Sequence, residues 1–98
     1  MTHYVYSKQG SAIGFIVGRY IHDMHGKAIG QLNGTHVHKM AGSYVGEPYQ
    51  DMVVDQHLGN LGSIGFPGNP GNAGFPGNPG SRGSLGISYT DVFYKLES

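Results

Sequence analysis

Residues 20–30 read Tyr-Ile-His-Asp-Met-His-Gly-Lys-Ala-Ile-Gly, and the pattern returns sixteen positions later, at residues 36–46, as His-Val-His-Lys-Met-Ala-Gly-Ser-Tyr-Val-Gly. An earlier copy covers residues 4–14, and a fourth begins at Met52. Each full copy has three residues that favour β-structure, a turn that ends in Gly, an apolar residue and a second Gly. Because one such unit cannot bury its apolar side alone, neighbouring copies must share a core. The 98 residues are therefore predicted to form a single β-repeat domain.

Each copy is predicted to form a β-hairpin. The middle residue of every opening triplet is apolar and is expected in the core, because strand side chains alternate between faces. These core residues are Val5, Ile21, Val37, Val53 and Phe93. In the second copy, Asp23 to Gly26 has the composition of a type I turn, and Asn33-Gly34 is typical of a two-residue hairpin loop. Gly30, after the second apolar residue, predicts a bulge or a close approach between backbones.

Four hairpins around one core predict an all-β meander with pseudo-fourfold symmetry. Residues 92–94 are predicted to form an extra strand that pairs with residues 4–6 and closes the ring. Closure would remove the exposed sheet edges that favour aggregation. The alternative is an open, flat meander that covers its apolar face by forming oligomers.

This combination of strand, turn Gly, apolar-Gly pair and Asn-Gly turn resembles the four-fold β-flower domain of bacterial proteins. The resemblance covers residues 4–61 and 86–96. It depends on seven glycines and their apolar neighbours: Gly10, Gly14, Gly26, Gly30, Gly34, Gly42 and Gly46. It implies a small radial β domain and brings no catalytic residues to transfer.

Residues 62–85 form an insert within the fourth repeat, with Gly at every third position. Residues 65–72 and 74–81 nearly repeat each other, as Gly-Phe-Pro-Gly-Asn-Pro-Gly followed by Asn or Ser. This Gly-X-Y pattern with Pro is typical of collagen and of polyproline II structure. A straight polyproline II rod of 24 residues would span about 75 Å, so its two ends could not meet in one hairpin.

Three interpretations of the insert remain open: a doubled-back polyproline II finger that reverses near residues 72–73, a flexible loop of Pro-Gly turns, and an interchain collagen-like triple helix. Phe66 and Phe75 occur in matching contexts and are followed by Pro67 and Pro76. Displayed apolar side chains typically mark an interaction surface. These four residues are therefore predicted to bind a partner.

Histidine is the only residue type that indicates site chemistry. His36 and His38 point to the same side of one predicted strand, and His22 holds the position of His38 in the preceding repeat. Three imidazoles could bind Zn²⁺, Ni²⁺ or Cu²⁺, and no other cofactor is expected. The alternative is an outer face on which Tyr and His substitute for one another as amphipathic residues.

Composition argues against several function classes. The chain has six basic and six acidic residues, so it carries no charge signature for nucleic acid or for an anionic membrane. It has no cysteine and therefore no disulfide or thiol nucleophile. Its start lacks the features of a secretory signal, and no apolar run approaches membrane-spanning length, which makes a cytoplasmic location the default expectation.

The leading hypothesis is a non-enzymatic structural or interaction module. The carboxylates occupy turn positions on separate repeats, whereas acid–base catalysis needs converging groups. The insert is expected to mediate self-assembly into a homo-oligomer or binding to a protein partner. The second hypothesis is metal or small-ligand binding at the histidines.

Overall fold

The computed structural model describes residues 3–56, 58, 62–68, 70–83 and 89–97. Within them, eight strands form one sheet in the order β1 to β8, and every pairing is antiparallel between neighbours in sequence. The strands are β1 (His3–Tyr6), β2 (Ala12–Val17), β3 (Tyr20–Asp23), β4 (Ala28–Asn33), β5 (His36–Lys39), β6 (Tyr44–Tyr49), β7 (Met52–Asp55) and β8 (Thr90–Asp91). A 3-10 helix, η1 (Phe93–Glu97), follows them. The predicted all-β meander of hairpins is confirmed.

The turn inside each of the first three hairpins closes as its residue types predict. The N–H of Gly26 donates to the carbonyl of Asp23 at 3.0 Å, and Gly10 and Gly42 make the equivalent bond in their repeats at 2.9 Å. The Asp23 carboxylate also accepts the N–H groups of His25 and Lys27, at 2.9 and 3.0 Å. A short polar side chain at the first turn position thus satisfies backbone donors that the hairpin leaves unpaired.

A bulge interrupts each of the first three hairpins at the second apolar residue. The β1–β2 register shifts between Val5 and Tyr6, so Ile13 has no residue opposite it. The same shift leaves Ile29 and Val45 unpaired in the next two hairpins. Such bulges bend the strand and increase its twist, which helps the sheet to curl.

The interior of the curled sheet is filled from each repeat and from the C-terminus. The predicted core residues Val5, Ile21, Val37 and Val53 are at most 2% exposed. Val92, Phe93 and Leu96 complete the same apolar cluster.

The strand predicted at residues 92–94 is wrong. Phe93 begins η1, and its N–H is capped by the Asp91 carboxylate at 3.1 Å. A 3-10 helix has three residues per turn, so Phe93 and Leu96 lie on one side of it and enter the interior together. The segment thus fills the interior instead of adding a strand.

Two bulge-associated glycines make room for this helix. A Cβ at Gly14 would lie 2.5 Å from the His22 carbonyl oxygen and 2.9 Å from the Phe93 ring. A Cβ at Gly30 would lie 2.9 Å from a methyl carbon of Leu96. The same Cβ would lie 3.2 Å from the His38 carbonyl oxygen, so the predicted bulge and close backbone approach at Gly30 are both confirmed.

The two ends of the meander meet without the predicted strand pairing. The N–H of Tyr6 donates to the carbonyl of Asp51 at 2.7 Å, so β1 contacts the start of β7. The N–H of Lys8 donates to the Asp91 carboxylate at 3.0 Å. Leu61 and Gly86, the two residues that flank the insert, lie outside the described residues. No helix in the described part of the chain has the length and apolar character needed to cross a membrane.

Candidate interaction surface on the glycine-rich insert

The insert crosses three hairpins and bonds to the turn of each. The N–H of Ile64 donates to the carbonyl of Gly42, that of Ala73 to Gly26, and that of Arg82 to Gly10, all at 2.9 Å. The three donors are nine residues apart, and the three acceptors are sixteen residues apart. One unit of the insert therefore matches one unit of the sheet, and the insert runs past the hairpins in reverse order.

This course corrects the predicted shape of the insert. A doubled-back finger would place residues 72–73 at a free tip, whereas Ala73 is bonded to the second hairpin. The backbone also departs from polyproline II, which needs φ near −75° at every residue. Five consecutive Gly-X-Y glycines have φ between +79° and +88°: Gly68, Gly71, Gly74, Gly77 and Gly80. Neither a finger nor a continuous polyproline II segment is present in the described residues.

Side chains of the sheet add further contacts to the insert. The hydroxyl of Tyr4 donates to the carbonyl of Pro76 at 2.9 Å. The amide of Gln31, which is fully buried, donates to the carbonyl of Gly65 at 3.2 Å. These side chains lie on the sheet face opposite the core, so that face holds the insert.

Arg82 fixes the far end of the insert. Its guanidinium carbon lies 4.4 Å from the centre of the Tyr6 ring, a cation–π contact. The same guanidinium donates to the Gln50 carbonyl and lies 3.6 Å from the Asp51 carboxylate. His3 contacts that carboxylate from the other side at 2.8 Å. This cluster, which sequence reasoning missed, joins the insert to the seam between the first and fourth repeats.

The predicted partner-binding residues lie on the docked insert. Phe66 is 63% exposed and Phe75 is 68% exposed, while Pro67 and Pro76 are half-buried. Phe66 lies two residues after Ile64, and Phe75 lies two residues after Ala73. The N–H groups of Ile64 and Ala73 are both bonded to hairpin turns. The insert therefore displays two phenyl rings in equivalent settings.

The histidines serve the turns. His22 and His38 are each 2% exposed, and Nδ1 of each bonds to a turn carbonyl, Gly26 at 2.8 Å and Gly42 at 3.0 Å. A carbonyl only accepts, so Nδ1 must carry the proton in these bonds. The same two carbonyls accept the N–H groups of Ala73 and Ile64. Each histidine thus orients a carbonyl that holds the insert.

The geometry gives the predicted metal site no support. His36 packs edge-on against Tyr44, with ring centres 6.0 Å apart. In the part of the chain that the structure describes, no group of three or more His, Cys, Asp or Glu residues could hold a metal ion. Metal binding by His22, His36 and His38 therefore stays a prediction from sequence.

The chain matches the model of a known protein family. The model of a family described as 4-fold beta flower protein matches residues 3–85, which includes the whole insert. The description names an architecture and no reaction. Searches of curated proteins and of solved structures found no match.

Proposed function

The chain belongs to the 4-fold beta flower family, and from that premise we propose that it is a non-enzymatic interaction module that self-assembles through Phe66 and Phe75. The observation that carries the proposal is their exposure, 63% and 68%, on a segment anchored by backbone bonds. Exposed aromatic side chains that are held in place make effective contacts, because little conformational entropy is lost when they bind.

The carboxylates support a structural role. Several acidic residues accept backbone N–H groups: Asp23 in its turn, Glu47 from Gln56 at 2.8 Å, and Asp91 from Lys8 and Phe93. These carboxylates stabilise turns and strand ends. A catalytic acid or base would instead converge with a second group on a shared cleft.

A second copy of the chain is the partner that composition favours. The formal net charge is zero, so copies do not repel one another through their overall charge. Each copy carries two equivalent phenylalanines, so one molecule can engage more than one neighbour. A foreign protein partner would use the same two rings.

Sedimentation velocity of the full chain, over a concentration series from micromolar to millimolar, tests the proposal. The unaltered chain is expected to associate. The double variant Phe66→Ala/Phe75→Ala is expected to have a dissociation constant at least about tenfold higher, which is equivalent to 1.4 kcal/mol. Tyr94→Ala is the matched control, because Tyr94 is an aromatic residue with 63% exposure outside the insert. Equal association by the double variant and the unaltered chain would show that these rings do not mediate assembly.

A further inference from the structure

The two ends of the sheet interior differ. At one end, Gly14 faces the ring of Phe93, and η1 fills the space. Two residues further along the same strand, Ile16 lines a cavity of about 240 Å³ at the other end. Neither Phe93 nor Leu96 reaches this cavity. We call it the apolar cup; its apolar lining includes Val5, Ile16, Ile21, Leu32, Val37 and Val53.

The wall of the cup is mostly apolar, with His3, Gln50 and Asp51 as its polar residues, and the cup is open to solvent. Ile16, Leu32 and Pro48 hold equivalent positions on three hairpins, sixteen residues apart. Ile16 and Leu32 are half-buried and Pro48 is exposed. Three equivalent hairpin positions therefore present apolar side chains around one opening, which is typical of a contact surface.

The turn at Gln50-Asp51 fixes one side of the opening. Both residues lie in the cup lining and have left-handed backbones, with φ of 49° and 63°. Such a conformation is unfavourable for residues other than Gly and persists where surrounding contacts hold it. His3 and Arg82 supply those contacts through the Asp51 carboxylate. The opening is thus built by the same cluster that anchors the insert.

We infer that the apolar cup binds the Phe66 or Phe75 ring of a second copy. This inference rests on the proposed function and identifies the surface that the exposed ring contacts. A phenyl ring has no polar atom, so it suits a lining of Val, Ile and Leu. Size agrees as well, because an apolar cavity of about 150 Å³ already binds benzene, and the cup is larger.

The inferred contact joins different surfaces on the two copies. The ring lies on the insert, and the cup lies at the open end of the interior. A contact between unlike surfaces is heterologous, so it leaves a free cup on one copy and free rings on the other. Assembly can then continue beyond a dimer.

Complementary variants test this assignment. Phe66→Ala/Phe75→Ala removes both rings and keeps the cup. Ile16→Asp keeps the rings and places a carboxylate in the cup wall. Each protein alone is expected to sediment as a monomer, and a mixture of the two is expected to form a heterocomplex. Val17→Asp is the matched control, because Val17 is the next residue of β2 and is 49% exposed.

Circular dichroism verifies folding of each variant, and Leu32→Asp replaces Ile16→Asp if the latter does not fold. If the folded cup variant self-associates as the unaltered chain does while the double Phe variant does not, the cup assignment is overturned and the proposed function stands. Unchanged self-association by the double Phe variant overturns both. If toluene binds in the cup while the unaltered chain stays monomeric, the cup takes a small molecule and the inferred contact is wrong.

Discussion

The sheet and the insert are both repetitive, but different interactions hold them. Hairpins of the sheet pair along strand ladders and share a buried core in which Val37 is fully inaccessible. The insert is anchored by one backbone bond in each nine-residue unit and leaves Phe66 and Phe75 in solvent. The sheet therefore provides its own framework, whereas the insert takes its shape from the hairpin turns.

The two periods are matched unit by unit. Three backbone bonds join donors nine residues apart in the insert to acceptors sixteen residues apart in the sheet. Glycines at every third position of the insert, such as Gly68 and Gly71, have positive φ, a conformation that residues with a side chain rarely adopt. The Gly-X-Y pattern is therefore needed for the backbone conformation that the docked insert has.

Truncating a core residue should have the largest effect on stability. It tests the first half of the comparison, that the buried core of the sheet provides the framework. Ile21→Ala should lower the free energy of unfolding by about 2–5 kcal/mol, because Ile21 is 1% exposed and a cavity would remain. Phe66→Ala, the control on the insert, should change it by less than about 0.5 kcal/mol. Urea denaturation followed by circular dichroism measures both. A comparable loss in Phe66→Ala would mean that the insert belongs to the core.

Blocking one contact of the insert tests the second half of the comparison, that the insert takes its shape from the hairpin turns. A Cβ at Gly42 would lie 1.7 Å from the carbonyl oxygen of Ile64, whereas a Cβ at Gly34 would meet nothing within 4 Å. Gly34 has φ of 63° and Gly42 has φ of 110°, and Gly34→Ala measures the cost of a left-handed alanine without any clash, about 1–2 kcal/mol. Gly42→Ala should lower the free energy of unfolding by more than Gly34→Ala does. It should also speed hydrogen exchange at the Ile64 amide.

Exchange at the amides of Ala73 and Arg82 serves as the internal reference for this experiment. These two amides bond to the first and second hairpins, whereas Gly42 lies in the third. Both amides should therefore stay protected from exchange in the Gly42→Ala variant. Equal loss of protection at all three amides would show that the insert docks as one cooperative unit. An unchanged Ile64 amide would mean that this backbone bond does not hold the insert.

Local chemistry explains what the sequence could predict. Asp23 and Gly26 define a turn by themselves, and Ile21 reads as a core residue because it is the apolar centre of a β-favouring triplet. Residues 92–94 have the same composition, yet they do not continue the sheet. Their conformation depends on the space beside Gly14 and Gly30, which only the assembled sheet creates.

The insert and the histidines show the same limit. A loop of Pro-Gly turns would leave Phe66 and Phe75 exposed, and they are 63% and 68% exposed in the structure. The bond from Ile64 to Gly42 joins distant positions, so no local pattern reveals it. One signal was available for the histidines: His22 and His38 each precede a turn Gly by four residues. That spacing reflects their bonds to the turn carbonyls.

The smallest expected effect concerns the turn where sheet and insert meet. The two-residue loops between earlier hairpins begin with Gly18 and Gly34, at φ of 59° and 63°, but the third begins with Gln50 at 49°. A left-handed residue other than Gly costs about 1–2 kcal/mol, and Gly adds an entropic cost of about 0.5–1 kcal/mol. Gln50→Gly should therefore stabilise the domain by up to about 1 kcal/mol, or raise Tm by about 4–8 °C.

Arg82 bonds to the backbone carbonyl of Gln50, so the anchor of the insert should survive, with unchanged exchange at the Arg82 amide. Since Gly34→Ala is the opposite change at the equivalent loop position, the two variants should shift Tm in opposite directions. A lower Tm in Gln50→Gly would mean that contacts of the Gln50 side chain, and not its backbone angle, determine the stability of this junction.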